Sequence, residues 1–120
     1  MLILVVDDQE GMRRLVRMIV EGVGYAVETC SSAESALEYL RGNSAAIHLV
    51  ISDYDMGGMT GMDFLREIRN DPRFGGIRFI LMTGGYNVGE EEALQQGVDG
   101  FLEKPFNPQA LLEMISRFTR

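Results

Sequence analysis

A chain of 120 residues with 46% hydrophobic and 24% charged side chains has the size and composition of one globular domain with a single core, expected over residues 1–120. The lone cysteine, Cys30, excludes an internal disulfide and a thiolate cluster, and the lone histidine, His48, leaves little from which to build a histidine metal site or a Ser/His/Asp triad. A net charge of -7 without a basic patch argues against nucleic acid and anionic membrane, and the absence of a bilayer-length apolar run or basic leader makes a cytoplasmic protein the expectation.

Residues 2–6 are rich in β-branched side chains and read as a central strand. From Gln9 onward Met12, Leu15, Val16, Ile19 and Val23 recur at helical spacing, with Arg13, Arg14, Arg17 and Glu21 opposite them and Gly22 and Gly24 as the stop. Residues 25–29 alternate and suggest a second strand nearer an edge. Ser31 or Ser32 then caps a helix whose inner side is Ala33, Ala36, Leu37 and Leu40. Residues 47–52 read as a strand buried on both faces, and Asp53 stands at its carboxyl end. After Gly57 and Gly58, Thr60 caps a helix that carries Phe64, Leu65 and Ile68 inward and ends before Asp71 and Pro72. Residues 78–82 make a fourth strand, broken by Gly84 and Gly85. A weaker helix over 87–96 turns Ala93 and Leu94 inward, with Glu90, Glu91 and Glu92 matched to its dipole in the first turn. Residues 98–103 form the fifth strand, and Asn107 with Pro108 opens a last helix whose apolar stripe is Leu111, Leu112, Ile115 and Phe118. Strands alternate with helices five times over short connections, the pattern of an α/β fold with a parallel sheet covered on both faces.

In such a sheet, strand ends from distant parts of the chain converge on one crevice. Here they bring Asp7 and Asp8, then Asp53 and Asp55, then Thr83, then Lys104. Two unit charges about 4 Å apart repel by roughly 4 kcal/mol at an effective dielectric of 20, so Asp7, Asp8 and Asp53 need compensation. An all-oxygen site with few carboxylates and room for water suits Mg2+, which can bridge a carboxylate and an incoming phosphoryl group. Lys104 and the Thr83 hydroxyl would then meet other phosphoryl oxygens. Taken singly, these residues have plainer explanations: a helix cap, a turn, a strand end, a solvated lysine. Phe101 by itself reads as ordinary packing, and the eight methionines as core filler. Four strand ends together favour the site.

The segments VVDD at 5–8, SDYDM at 52–56 followed by GGMTG, LMTG at 81–84 and DGFLEKPF at 99–106 fall at those four ends. Through them the whole chain resembles the receiver domains of two-component response regulators, the single-domain chemotaxis type included. The resemblance implies a flavodoxin-like, doubly wound, five-stranded parallel sheet of order 2-1-3-4-5 with five helices. It implies that Asp53 is the phosphoacceptor, attacking a phosphohistidine on a histidine kinase or histidine phosphotransfer protein to form an acyl phosphate. Asp8, Asp53 and the backbone carbonyl of Asp55 would be direct Mg2+ ligands, and Asp7 would orient a metal-bound water. Thr83 and Phe101 would form a switch pair and Lys104 would tie phosphorylation to it, with Pro105 in a cis or tightly turned bond. A downstream protein would dock on the helix after Gly85, the strand ending at Lys104 and the last helix. Catalysis would be confined to the domain's own phosphorylation and dephosphorylation.

Gly57 stands where the family usually has proline, which implies a looser loop after Asp53 and predicts that Gly57→Pro tightens it without removing phosphorylation. Asp55 and Gly85, two positions after the acceptor and after Thr83, are expected to set water access to the phosphoryl group and so the acyl phosphate's lifetime. Competing expectations are a receiver-fold interaction module lacking phosphorylation, a small aspartyl-phosphate phosphatase or phosphotransferase, and a flavodoxin-like cofactor binder. The intact acid, threonine and lysine set disfavours the first. The second lacks a D-x-D start and room for a cap, and in the third Asp7 and Asp8 would repel the cofactor's phosphate.

Overall fold

Ile3, Leu4, Val5 and Val6, then Leu49, Val50 and Ile51, then Phe79, Ile80, Leu81 and Met82 are all fully buried, as strands with helices on both faces must be. The computed structural model describes residues 1–84 and 88–119. Along the chain run β1 (Leu2–Val6), α1 (Glu10–Glu21), β2 (Ala26–Cys30), α2 (Ala33–Asn43), β3 (Ile47–Asp53), α3 (Gly61–Asn70), a single 3-10 turn (Pro72–Phe74), β4 (Arg78–Thr83), α4 (Glu90–Gln95), β5 (Gly100–Glu103) and α5 (Pro108–Phe118). The sheet has the order β2-β1-β3-β4-β5 with every neighbour parallel, the doubly wound arrangement expected.

Strand alternation divides the core in two. Ile3, Val5, Leu49, Ile51, Ile80 and Met82 point to the side of α1 and α5, where Val16, Val20, Leu111, Met114 and Ile115 meet them. Leu4, Val6, Val50, Phe79 and Leu81 point to the side of α2, α3 and α4, against Leu40, Phe64, Leu65, Ile68 and Ala93. The register levels the carboxyl ends of the strands: Val6 pairs with Cys30 and Ser52, Asp53 with Met82, and Thr83 with Glu103. Whatever follows those residues is therefore delivered to one edge.

The helix starts follow side-chain capping. Ser32 accepts from the Ser35 N–H, Thr60 and Asp63 form a reciprocal capping box, and Asn107 accepts from the Gln109 N–H with Pro108 in the first turn. Several expected faces differ. In α1 the buried residues are Val16 and Val20, whereas Leu15 is 44% exposed, because the row 12, 16, 20 faces the sheet and Leu15 lies about 100° off it; Val23, 54% exposed, falls in the turn after the helix ends at Glu21. In α5 Met114 joins the buried stripe and Leu112 is only half-buried. In the six-residue α4 only Ala93 is buried, and Leu94 is 44% exposed. β5 starts at Gly100, not at 98, because Asp99 first spends its N–H on the Phe79 carbonyl and its carboxylate on the Phe79 N–H. Between α3 and β4 the chain also makes the 3-10 turn, which Asp71 caps and which buries Phe74. The expectations placed on Gly85 and Asn87 lie outside the described residues. Among the described residues, no helix is long and apolar enough to cross a membrane.

Candidate functional site

The parallel ladder continues one step past β1, where the Asp7 N–H donates to the Cys30 carbonyl at 3.2 Å. That bond fixes Asp7 at the sheet edge with no solvent exposure. One of its carboxylate oxygens accepts from the Gln9 N–H at 2.9 Å, and its carbonyl accepts from the Arg13 guanidinium at 2.6 Å. Asp8, the next residue, is exposed. Asp53 is the last residue of β3 and Thr83 the last of β4, at 7% and 0% exposure. Beyond β5 the Lys104 N–H donates to the Thr83 carbonyl at 2.8 Å, carrying the β4–β5 ladder outward before the cis Lys104–Pro105 bond. Its side chain then crosses the edge, placing Nζ 2.9 Å from Asp53 Oδ1 and 3.4 Å from Asp7 Oδ2.

Carboxylate oxygens of Asp7, Asp8 and Asp53 all come within 4.8 Å of one another. At that spacing or closer each pair of charges repels by at least about 3.5 kcal/mol at an effective dielectric of 20. Burial pushes the Asp53 carboxyl above its usual range; the hydrogen bond from Lys104 opposes the rise, and the Asp7 charge adds to it. The Lys104 ammonium touches the Asp7 and Asp53 carboxylates, and with Asp8 in the same cluster the three acids outnumber it by two negative charges. An all-oxygen donor set with that surplus fits a hard divalent cation of the Mg2+ type.

Two glycines shape the loop after Asp53. The Tyr54 N–H donates to Met82 and the Gly61 N–H donates to Tyr54 at 2.7 Å, so the first turn of α3 is drawn against the peptide of Asp53. A Cβ on Gly61 would lie 2.5 Å from the Asp53 carbonyl oxygen and 2.8 Å from Leu81 Cδ1. Sequence reasoning missed Gly61; the available signal was a glycine directly after the Thr60 cap, where a better helix former would be usual. Gly57 has φ 80°, a conformation proline cannot adopt, so the expectation that Gly57→Pro tightens this loop is overturned. Asp55 lies exposed on the same loop.

Register aligns Leu81 with Phe101 and Thr83 with Glu103, so Thr83 and Phe101 share one face on adjacent strands, two positions apart. Phe101 is half-buried against the core on that side. Cys30 and His48 stand apart from the chemistry. Burial raises the Cys30 thiol pKa, as for an unreactive packing residue, and His48 is exposed near the start of β3.

Residues 3–116 match the protein family described as the response regulator receiver domain. The chain is 34% identical over 119 residues to the chemotaxis protein CheY of Pseudomonas aeruginosa, covering 98% of this chain and 94% of that protein. It is 36% identical over 117 residues to CheY1 of Helicobacter pylori, covering 96% and 94%. Response regulator Rre1 of Synechocystis is 36% identical over 115 residues, 94% of this chain and 49% of that protein. Among solved structures, CheY4 of Vibrio cholerae superposes with a TM-score of 0.85 at 31% identity, covering 98% of this chain and 97% of the other.

Proposed function

The chain belongs to the response regulator receiver family of two-component signalling, and from that premise we propose that it is a phosphoacceptor, taking a phosphoryl group onto Asp53 with the help of Mg2+. The observation that carries this reading is the bridge made by Lys104. One ammonium from the fifth strand's end touches carboxylates from the ends of the first and third, inside a cluster two charges short of neutrality.

The donor is a histidine kinase or a histidine phosphotransfer protein. An Asp53 carboxylate oxygen attacks phosphorus, the new O–P bond forms as the N–P bond breaks, and the imidazole leaves with the electron pair. Bound through Asp8, Asp53 and the Asp55 carbonyl, with Asp7 holding a coordinated water, Mg2+ would neutralise charge on the phosphoryl oxygens. The contact from Lys104 to Asp53 passes to a phosphoryl oxygen as the carboxylate becomes an acyl phosphate, while its contact with Asp7 holds the ammonium in place. The Thr83 hydroxyl turns to the phosphoryl group and Phe101 fills the space on their shared face. That shift alters the α4-β5-α5 surface on which a downstream protein docks. The only chemistry the domain performs is then its own phosphorylation and hydrolysis of the resulting acyl phosphate. A net charge of -7 disfavours direct nucleic acid binding.

Incubation with acetyl phosphate or phosphoramidate, followed by intact mass, tests the reading. The parent should gain one phosphoryl group with Mg2+ and none after chelation, and Asp53→Ala none in either case. Equal labelling of Asp53→Ala and the parent would overturn it.

A further inference from the structure

We propose that Arg13 is a positioning residue of the cation site, its guanidinium orienting the peptide that joins Asp7 to Asp8 and so the direction from which Asp8 meets the metal. This rests on the Mg2+-dependent reading above. On α1, Arg14 pairs with Glu10 at 2.9 Å and Arg17 with Glu21 at 3.2 Å, both along the exposed helix surface. Arg13 behaves differently: half-buried, it turns toward the sheet and donates to the Asp7 carbonyl at 2.6 Å.

The other groups of Asp7 are already committed. Its N–H is held by Cys30, and its carboxylate by the Gln9 N–H and Lys104. Its carbonyl belongs to the planar unit that also carries the Asp8 N–H and leads to the Asp8 Cα. A donor that fixes that carbonyl therefore fixes how Asp8 leaves the strand, although Asp8 itself is exposed.

Charge and position predict opposite outcomes when Arg13 is removed. A cation held on the Asp7 backbone, one residue from Asp8, repels an entering dication, so on charge alone Arg13→Ala would tighten Mg2+ binding. If the guanidinium sets the ligand geometry, its loss weakens binding, by about tenfold as for other partners that orient a metal ligand. Titration calorimetry with Mg2+ alone reads this directly, and no phosphoryl donor is needed. Arg13→Lys keeps one donor on the carbonyl and should recover most of the affinity. In the metal-free protein, Arg13→Ala should speed amide exchange at Asp8 and Gln9 but leave Leu4 and Val5 unchanged, which separates a local effect from general loosening. Binding by Arg13→Ala as tight as the parent's, or tighter, overturns the inference and leaves the phosphoacceptor reading standing. A parent that does not bind Mg2+ overturns both.

Discussion

Replacing Gly61 by alanine inserts a methyl group where the structure leaves no room. The added Cβ would sit 2.5 Å from the Asp53 carbonyl oxygen, 2.8 Å from Leu81 Cδ1 and 3.1 Å from Tyr54 Cα, against an ordinary contact of about 3.5 Å. Leu81 is fully buried, and the other two atoms are backbone, so none of the three can swing aside like a surface side chain. Close to 1 Å must be recovered by moving α3 away from the end of β3. Overpacking of this kind costs about 1–3 kcal/mol, while alanine's helix preference returns at most ~1 kcal/mol. The steric effect wins, with a net loss of up to about 2 kcal/mol after that full offset. The same shift displaces Asp53, whose Oδ1 lies 2.9 Å from Lys104 Nζ, and a displacement of ~1 Å at a reacting group can slow a reaction by about 100-fold. Urea unfolding should show a lower midpoint, and uptake from phosphoramidate at saturating Mg2+ should slow by about 10- to 100-fold. Gly100→Ala is the control. Its Cβ would meet Met114 Sδ at 2.5 Å and Phe118 Cε2 at 2.9 Å, so it should lose stability without a comparable loss of rate. Gly61→Ala with the parent's stability and rate would refute the claim that this glycine lets α3 abut the acceptor's peptide.

Three further substitutions probe the scaffold. Arg69 donates to the Ile77 carbonyl at 2.7 Å, the Gly97 carbonyl at 3.0 Å and Asp99 at 2.9 Å, so Arg69→Ala leaves the mostly buried Asp99 short of a partner. The loss should be about 2 kcal/mol by urea unfolding, and a change within ~0.5 kcal/mol would contradict it. Because Gly57 has φ 80°, Gly57→Pro should destabilise the fold by more than ~1 kcal/mol, and a raised Tm would show that the loop adopts another conformation. Arg73 holds the Asp71 carboxyl at about 2, below its ordinary 3.8. A depressed value contributes stability that is complete above pH 3.8 and disappears as pH falls through about 2. Asp71→Asn should therefore flatten part of the acid limb of the stability profile across that window, and an unchanged limb would count against the Arg73 contact.

The site was readable because a parallel sheet leaves little freedom in where its strands end. Asp7, Asp53, Thr83 and Lys104 each stand at or just past the end of a mostly apolar strand, and once those strands lie side by side in register their ends meet at one edge. The inner faces of α2 and α3 were equally plain, since Ala36, Leu37, Leu40, Phe64, Leu65 and Ile68 repeat at helical spacing and are all buried. α1 was harder. Leu15, Met18 and Val23 are apolar yet exposed, so hydrophobicity alone offered more candidates than the buried face could take. What could not be read were close approaches and side chains serving distant backbone. Gly61 matters through an oxygen eight residues earlier, Gly57 through its sign of φ, and Arg69 through carbonyls 8 and 28 residues away. Arg13 looked like one more exposed helix arginine until its bond to Asp7 placed it beside the acids.

The most direct measurement is to locate the phosphoryl group. Exposing the protein to acetyl phosphate with Mg2+, reducing the product with borohydride and mapping peptides converts an acyl-phosphorylated aspartate into homoserine at its own position. Homoserine is expected at 53 and nowhere else, dependent on Mg2+ and lost in Asp53→Ala. Homoserine at Asp7, Asp8 or Asp55, or none at all from a protein that has taken up phosphoryl, would contradict it.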